Sequence, residues 1–306
     1  MNKTLVACLT AVLSLSALAR AGDLVFFKAS EAGEEACGWD NAKIVKEGCD
    51  LMITENDPKV SYGNVYVSDR LAYVPEGMIE VKISKVLLGK CTVQILAFQG
   101  STHIHTAEII KGATEPVSKQ FPVNAIGLPP FTETILIKIW VADAEGASTV
   151  LDELTYSMPL DPSRVLLNDN FSDTSKWMPD KTTFTPTHSG TDLKLQAGES
   201  FGSILYTTRF RRPEADQLIL DLAPVKNGVV TVQLVCFDAG DQYLESFDLL
   251  KDLNGALYAA QMGSARWPDN ATQFDIKIWL AGQDGAQANL RRLMLLKPGT
   301  AAPASP

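Results

Sequence analysis

Two short stretches set a cation and an indole one residue apart, Lys138-Ile139-Trp140 and Lys277-Ile278-Trp279. Two others space an amide and a ring four positions apart, Gln94 with Phe98 and Gln233 with Phe237. Side chains of these types hold ligands without covalent chemistry. An aromatic face accepts the apolar C–H patch of a pyranose ring, while amide and ammonium groups supply donors and acceptors for its hydroxyls. The chemistry in view is recognition of a sugar, by Gln94, Phe98, Lys138 and Trp140 in one set and Gln233, Phe237, Lys277 and Trp279 in the other. The competing role for each ring is to fill space under a flanking loop, with the lysine lying alongside it.

Catalytic chemistry finds less support. The chain has three histidines, and His103-x-His105 places two imidazoles on one strand face with no partnering ligand cluster in the sequence. Asp143 with Glu145, and Glu34 with Glu35, lie in turn-like segments, where carboxylates are usually solvated. There is no phosphate-cradling glycine loop. The expectation is a protein that binds and does not catalyse.

The residues that could bind must be positioned by strands. Ile137 to Trp140 returns intact as Ile276 to Trp279, 139 residues later. The same offset carries Thr92-Val93-Gln94 onto Thr231-Val232-Gln233, Arg70 onto Arg209, Gly89 onto Gly228 and Gly146-Ala147 onto Gly285-Ala286. No gap is needed from about Tyr62 to Tyr156, so two whole domains are repeated in tandem. Each repeat consists of short alternating or apolar runs broken by Gly, Pro, Asn and Asp, which predicts an all-β fold of antiparallel β-sandwiches. Only His103 to Lys111 is ambiguous between helix and strand. Side chains alternate across a strand. Ile135, Ile137, Ile139 and Val141 then face the core, as do Val93, Ile95 and Ala97, and the candidate binding residues face outward.

Residues 1–21, with a charged start, an apolar run from Leu5 to Ala19 and a small-residue exit, predict a secretory signal peptide and an exported protein, periplasmic or extracellular. Repeat 1 is expected over 22–158, a proline-bearing linker over 159–165, repeat 2 over 166–297 and a disordered tail over 298–306. Loss of residues 1–21 removes Lys3 and Arg20 and no acid, so the formal charge of −9 becomes −11. Such a surface repels phosphate backbones and anionic lipid, which argues against nucleic acid and against membrane insertion. An exported chain can oxidise Cys37 and Cys49, which flank a short loop, to a disulfide. Cys91 and Cys236 do not correspond under the repeat and read as small core residues.

Asn168-Asp169-Asn170-Phe171-Ser172-Asp173, followed by Trp177, and the closing strand Leu151-Asp152-Glu153-Leu154-Thr155 resemble the opening and closing strands of galactose-binding-like jelly-roll domains. The nearest such domains are the tandem carbohydrate-binding modules of secreted glycan-degrading systems. The resemblance implies non-catalytic jelly rolls that bind a poly- or oligosaccharide on one sheet face. It also raises a structural calcium between an acid of the opening strand and an Asp of the closing one. Each copy keeps only half of that pair, Asp152 in the first and Asp169 in the second, so no metal or other cofactor is expected. The alternative function is a structural or adhesive extracellular protein that engages a protein partner through the same sheet faces.

Overall fold

The computed structural model describes residues 23–29, 37–47, 50–55, 57, 59, 62–67, 70–181, 187–189, 192–196 and 201–298. The signal-peptide segment 1–21 and residues 299–306 of the expected tail lie outside them. Among the described residues the regular structure is β, with only single 3-10 turns between strands, and no helix is long and apolar enough to cross a membrane.

The first repeat contains β1 (Leu24–Lys28), β2 (Cys37–Asp40), β3 (Ala42–Glu47), β4 (Asp50–Glu55), β5 (Tyr62–Val67), β6 (Leu71–Ala72), β7 (Met78–Leu88), β8 (Lys90–Gln99), β9 (Thr102–Ala113), β10 (Val117–Pro122), β11 (Thr134–Ala142) and β12 (Ser148–Met158). They form two antiparallel sheets, one ordered β10-β7-β12-β4-β3 with β1 on β12, the other β2-β5-β11-β8-β9 with β6 on β11. The ambiguous His103–Lys111 stretch is part of the edge strand β9.

The second repeat follows with β13 (Val165–Asp169), β14 (Trp177–Lys181), β15 (Thr187–Ser189), β16 (Asp192–Gln196), β17 (Phe201–Tyr206), β18 (Phe210–Arg211), β19 (Gln217–Leu222), β20 (Lys226–Phe237), β21 (Tyr243–Leu253), β22 (Ala256–Gln261) and the 24-residue β23 (Gln273–Leu296). Its pairings reproduce those of the first repeat strand for strand. The N-terminal half of β23 pairs with β17 and β20, as β11 pairs with β5 and β8. The C-terminal half pairs with β16 and β19, as β12 pairs with β4 and β7. One strand thus turns the corner between the two layers, where the first repeat uses two. The molecule is two antiparallel β-sandwiches in tandem.

The alternation read from the sequence has its cause in these layers. Ile135, Ile137, Ile139 and Val141 are buried between the sheets with Cys91, Val93, Ile95 and Ala97, and meet Ile79, Val81 and Ile83 from the opposite layer. Each of these isoleucines and valines contributes about 1.5–3 kcal/mol on leaving water, which fixes the register and points the odd-out positions Lys138 and Trp140 away from the core. Cys91 and Cys236 are buried free thiols, and burial pushes both up to about 11.

Several duplicated small residues serve the corner. A Cβ on Gly89 would meet the Ala142 carbonyl oxygen at 2.3 Å, and one on Gly228 would meet that of Ala281 at 2.5 Å. Gly146 and Gly285 take left-handed φ of 73° and 79°, the conformation that lets the chain turn from one layer into the other.

The two sandwiches touch. Ile219, Met294 and Leu296 of the second belong to the core cluster of the first, and Leu257 and Ala259 pack against it. Within the expected 159–165 linker, a 3-10 turn at Pro162–Arg164 is capped by Asp161, and β13 begins at Val165. Arg164 on that turn reaches Glu76 of the first repeat and Asp216 of the second, each at 3.9 Å.

Candidate functional site

In the first repeat, β8 and β11 lie side by side with Gln94 opposite Lys138 and Thr92 opposite Trp140. Trp140 is half-buried, its indole set edge-on to Tyr62 from β5 at 5.5 Å between centroids. The Lys138 ammonium sits over the Trp140 ring at 4.5 Å and near that of Tyr66 at 5.3 Å. The Gln94 amide donates to the Glu108 carboxylate at 3.2 Å, and Lys111 lies 3.6 Å from the other oxygen of that acid. Between these groups and the Lys90–Asp143 ion pair of 2.9 Å runs a shallow cleft of about 310 Å³ that Trp140 lines.

The second repeat builds the same set from β17, β20, β21 and β23. Lys277 stands over the half-buried Trp279 ring at 4.2 Å, with Phe201 at 6.0 Å in the place of Tyr62. Gln233 donates to Asp248 at 3.2 Å, and Lys251 lies 3.8 Å from the same carboxylate. Here the indole joins the chain, because Trp279 Nε1 donates to Gln233 Oε1 at 3.2 Å. The corresponding Trp140 Nε1 is buried with no hydrogen-bond partner among the described residues.

Phe98 and Phe237 differ from expectation. Both project outward, but each is roofed by an arginine. The Arg70 guanidinium lies 3.9 Å above the Phe98 ring and that of Arg209 lies 3.4 Å above Phe237. His103 and Tyr243 close them edge-on at 5.5 and 6.2 Å. Phe98 retains only 8% of its surface, so its face is spent on the protein itself. The duplicated arginine and phenylalanine form an intramolecular plug at the end of each face, not an open platform. Gln94, Lys138 and Trp140, like Gln233, Lys277 and Trp279, are brought together.

The acids and lysines of the site were missed. Gln94 faces Glu108 in the β8–β9 ladder and Gln233 faces Asp248 in the β20–β21 ladder, so the correspondence there is 140, not 139. One extra residue in the turn before Tyr243 shifts the edge strand, and the loop after it restores the frame. Under the true register His103 matches Tyr243 and His105 matches Glu245. Comparing Glu108-x-x-Lys111 with Asp248-x-x-Lys251 across a single-residue gap is the signal that finds them.

The residues raised for calcium have protein partners. Asp169 accepts from the Phe171 N–H at 2.7 Å and from Trp177 Nε1 at 3.1 Å. Asp152 meets Lys82 at 2.7 Å. Burial pushes the Asp152 carboxyl up, and the bonds from Lys82 and Ser84 outweigh it and hold the group below its ordinary value. Among the described residues no group of three or more His, Cys, Asp or Glu side chains converges as a metal site would require. Cys49 and the side chain of Cys37 lie outside the described residues, and the disulfide expected between them with them.

Neither a protein-family model nor a curated protein matches this chain. Solved structures similar to it include the N-terminal CBM22-1–CBM22-2 tandem domain of Paenibacillus barcinonensis Xyn10C, at 9% identity over 92% of this chain and 99% of that one, with a TM-score of 0.31. A low-affinity xylan-binding module, CBM86, from Roseburia intestinalis is similar at 13% identity over 43% of this chain and 96% of that one, with a TM-score of 0.29. Allantoicase is similar at 12% identity over 91% of this chain and 90% of that one, with a TM-score of 0.26. Carbohydrate-binding modules are thus among the similar structures, and enzymes are too; likenesses this weak carry neither a ligand nor an activity across.

Proposed function

We propose that this is an exported, non-catalytic protein that binds poly- or oligosaccharide on the outward sheet face of each sandwich. One observation carries the reading. Twice over, a half-buried indole lies beneath a lysine and beside an amide held by a carboxylate that itself meets a second lysine. An indole face suits a pyranose C–H patch, and an amide and a carboxylate on adjacent strands suit vicinal hydroxyls.

The lysine over each indole must move for a sugar to stack. A cation–π contact near the surface is worth about 0.5–1 kcal/mol, and an ammonium moved off the ring meets an incoming sugar as a donor at its rim. With two sites in one chain, a polymer that reaches both gains avidity without any new contact. The amino-terminal pattern of residues 1–21 supports export, an oxidising compartment would join Cys37 to Cys49, and the formal charge of −9 disfavours nucleic acid.

A glycan array probed with the wild type and with Trp140→Ala and Trp279→Ala tests the assignment. The expected result is glycan binding by the wild type that both variants weaken, with little loss of thermal stability. Undiminished binding by both variants, or a wild type that captures a protein partner and no glycan, would overturn it.

A further inference from the structure

Between the sandwiches lies a cavity of about 630 Å³, about twice the volume of the cleft on the first repeat's face and within the range that encloses ligands at domain boundaries. Arg70, Tyr73 and Glu133 line it from the first repeat. From the second come Asp248, Lys251, Tyr258 and Arg266. Asp248 and Lys251 also belong to the second repeat's binding set, where Asp248 holds the Gln233 amide, so the cavity and that site share a wall.

The charges on its walls are unevenly matched. Asp248 meets Lys251 at 3.8 Å, and Glu133 accepts the Gly100 N–H at 2.8 Å. Arg70 donates to the carbonyl oxygens of Gly100 and Ser101, at 2.6 and 3.3 Å, and among the described residues forms no ion pair. Arg266 is exposed and likewise forms none among them. Two arginines thus line opposite walls, neither with a carboxylate partner among the described residues, in a chain whose formal charge is −9. Tyr258 adds a fixed ring, because its hydroxyl donates to Asn254 Oδ1 at 3.1 Å and accepts the Asn254 N–H at 3.2 Å. Planar guanidinium forks match carboxylates in a way that hydroxyls do not require.

We propose that this inter-repeat cavity extends the second repeat's glycan site and takes the carboxylate of a uronic-acid-bearing oligosaccharide between Arg70 and Arg266. The inference rests on the glycan reading and names its ligand class. A chain seated over Trp279 passes Asp248 and enters the cavity, so sugars beyond the stacked residue are read by charge.

Titration calorimetry on the full chain, with oligogalacturonate and glucuronic-acid-substituted xylo-oligosaccharides each compared with its carboxyl-reduced form, tests it. For at least one pair, the acidic form is expected to bind about tenfold tighter, with a preference that falls with added salt and drops about tenfold in Arg266→Gln. Equal affinity for both forms of every pair, or a preference that Arg266→Gln leaves intact, overturns the inference. Trp279→Ala separates the two readings. If it weakens the reduced glycans while no acidic preference exists, the cavity inference falls and the face site stands. If no oligosaccharide binds the wild type, both fall.

Discussion

The two repeats present the same side chains and close them differently. In the second, Trp279, Gln233, Asp248 and Lys251 form one continuous relay, whereas in the first the chain runs only from Gln94 to Lys111 and the buried Trp140 N–H has no hydrogen-bond partner among the described residues. An unsatisfied buried donor costs about 1–3 kcal/mol, so the indole of the second repeat is anchored by a hydrogen bond that the first lacks among the described residues. The plugs differ in the same direction. Arg209 holds Asp275 through two bonds of 2.9 and 3.1 Å and Asp241 at 2.9 Å, while Arg70, beside its ring contact, donates to two carbonyls and among the described residues to no carboxylate. Duplicated residue types therefore do not guarantee duplicated sites, and the second repeat is the better organised of the pair.

The largest effect on this asymmetry is expected from the indoles. Trp279→Ala is expected to lower affinity for an oligosaccharide about a hundredfold, as loss of a central aromatic anchor does, and Trp140→Ala by less than about tenfold. Calorimetry on each variant measures the ratio, and equal losses would remove the distinction between the copies. Next in size is a stability difference. Arg209→Ala leaves the buried Asp275 without its partner and is expected to cost about 2–3 kcal/mol, against about 1 kcal/mol for Arg70→Ala, read from denaturant midpoints.

A smaller and sharper change converts one copy into the likeness of the other. Gln233→Ala removes the acceptor of Trp279 Nε1 and is expected to reduce affinity about tenfold, bringing the second site near the level of the first, while Gln94→Ala in the first costs less. Smallest is Lys277→Met. It frees the indole face but removes a charged donor, and a net loss of about threefold is expected; a gain would mean that the lysine only obstructs.

Much of this was legible in the residues. The alternation of Ile135 to Val141 set the core face, and with it the outward direction of Lys138 and Trp140, because a strand buried on one side tolerates no slip of register. Gly89 and Gly228 were legible only as a matched pair of the repeat, and the reason, that a side chain there would strike a carbonyl, needed the fold. The roof on Phe98 was hidden, since Arg70 lies in a different strand region and only the fold brings it over the ring. Glu108 and Asp248 were hidden by a one-residue change in a turn, which breaks a gapless comparison while leaving the sheet intact. The cavity between the repeats was beyond reach, because nothing local encodes how two sandwiches dock.

The most direct test follows the indole N–H resonances of the tryptophans in a ¹H–¹⁵N spectrum while the glycan found on the array is titrated in. Trp279 and Trp140 are expected to shift, Trp279 at lower concentration, while Trp177, buried against Asp169, stays where it is. Movement of Trp177 without the other two, or saturation of binding with neither outward indole disturbed, would contradict a sugar site on these faces.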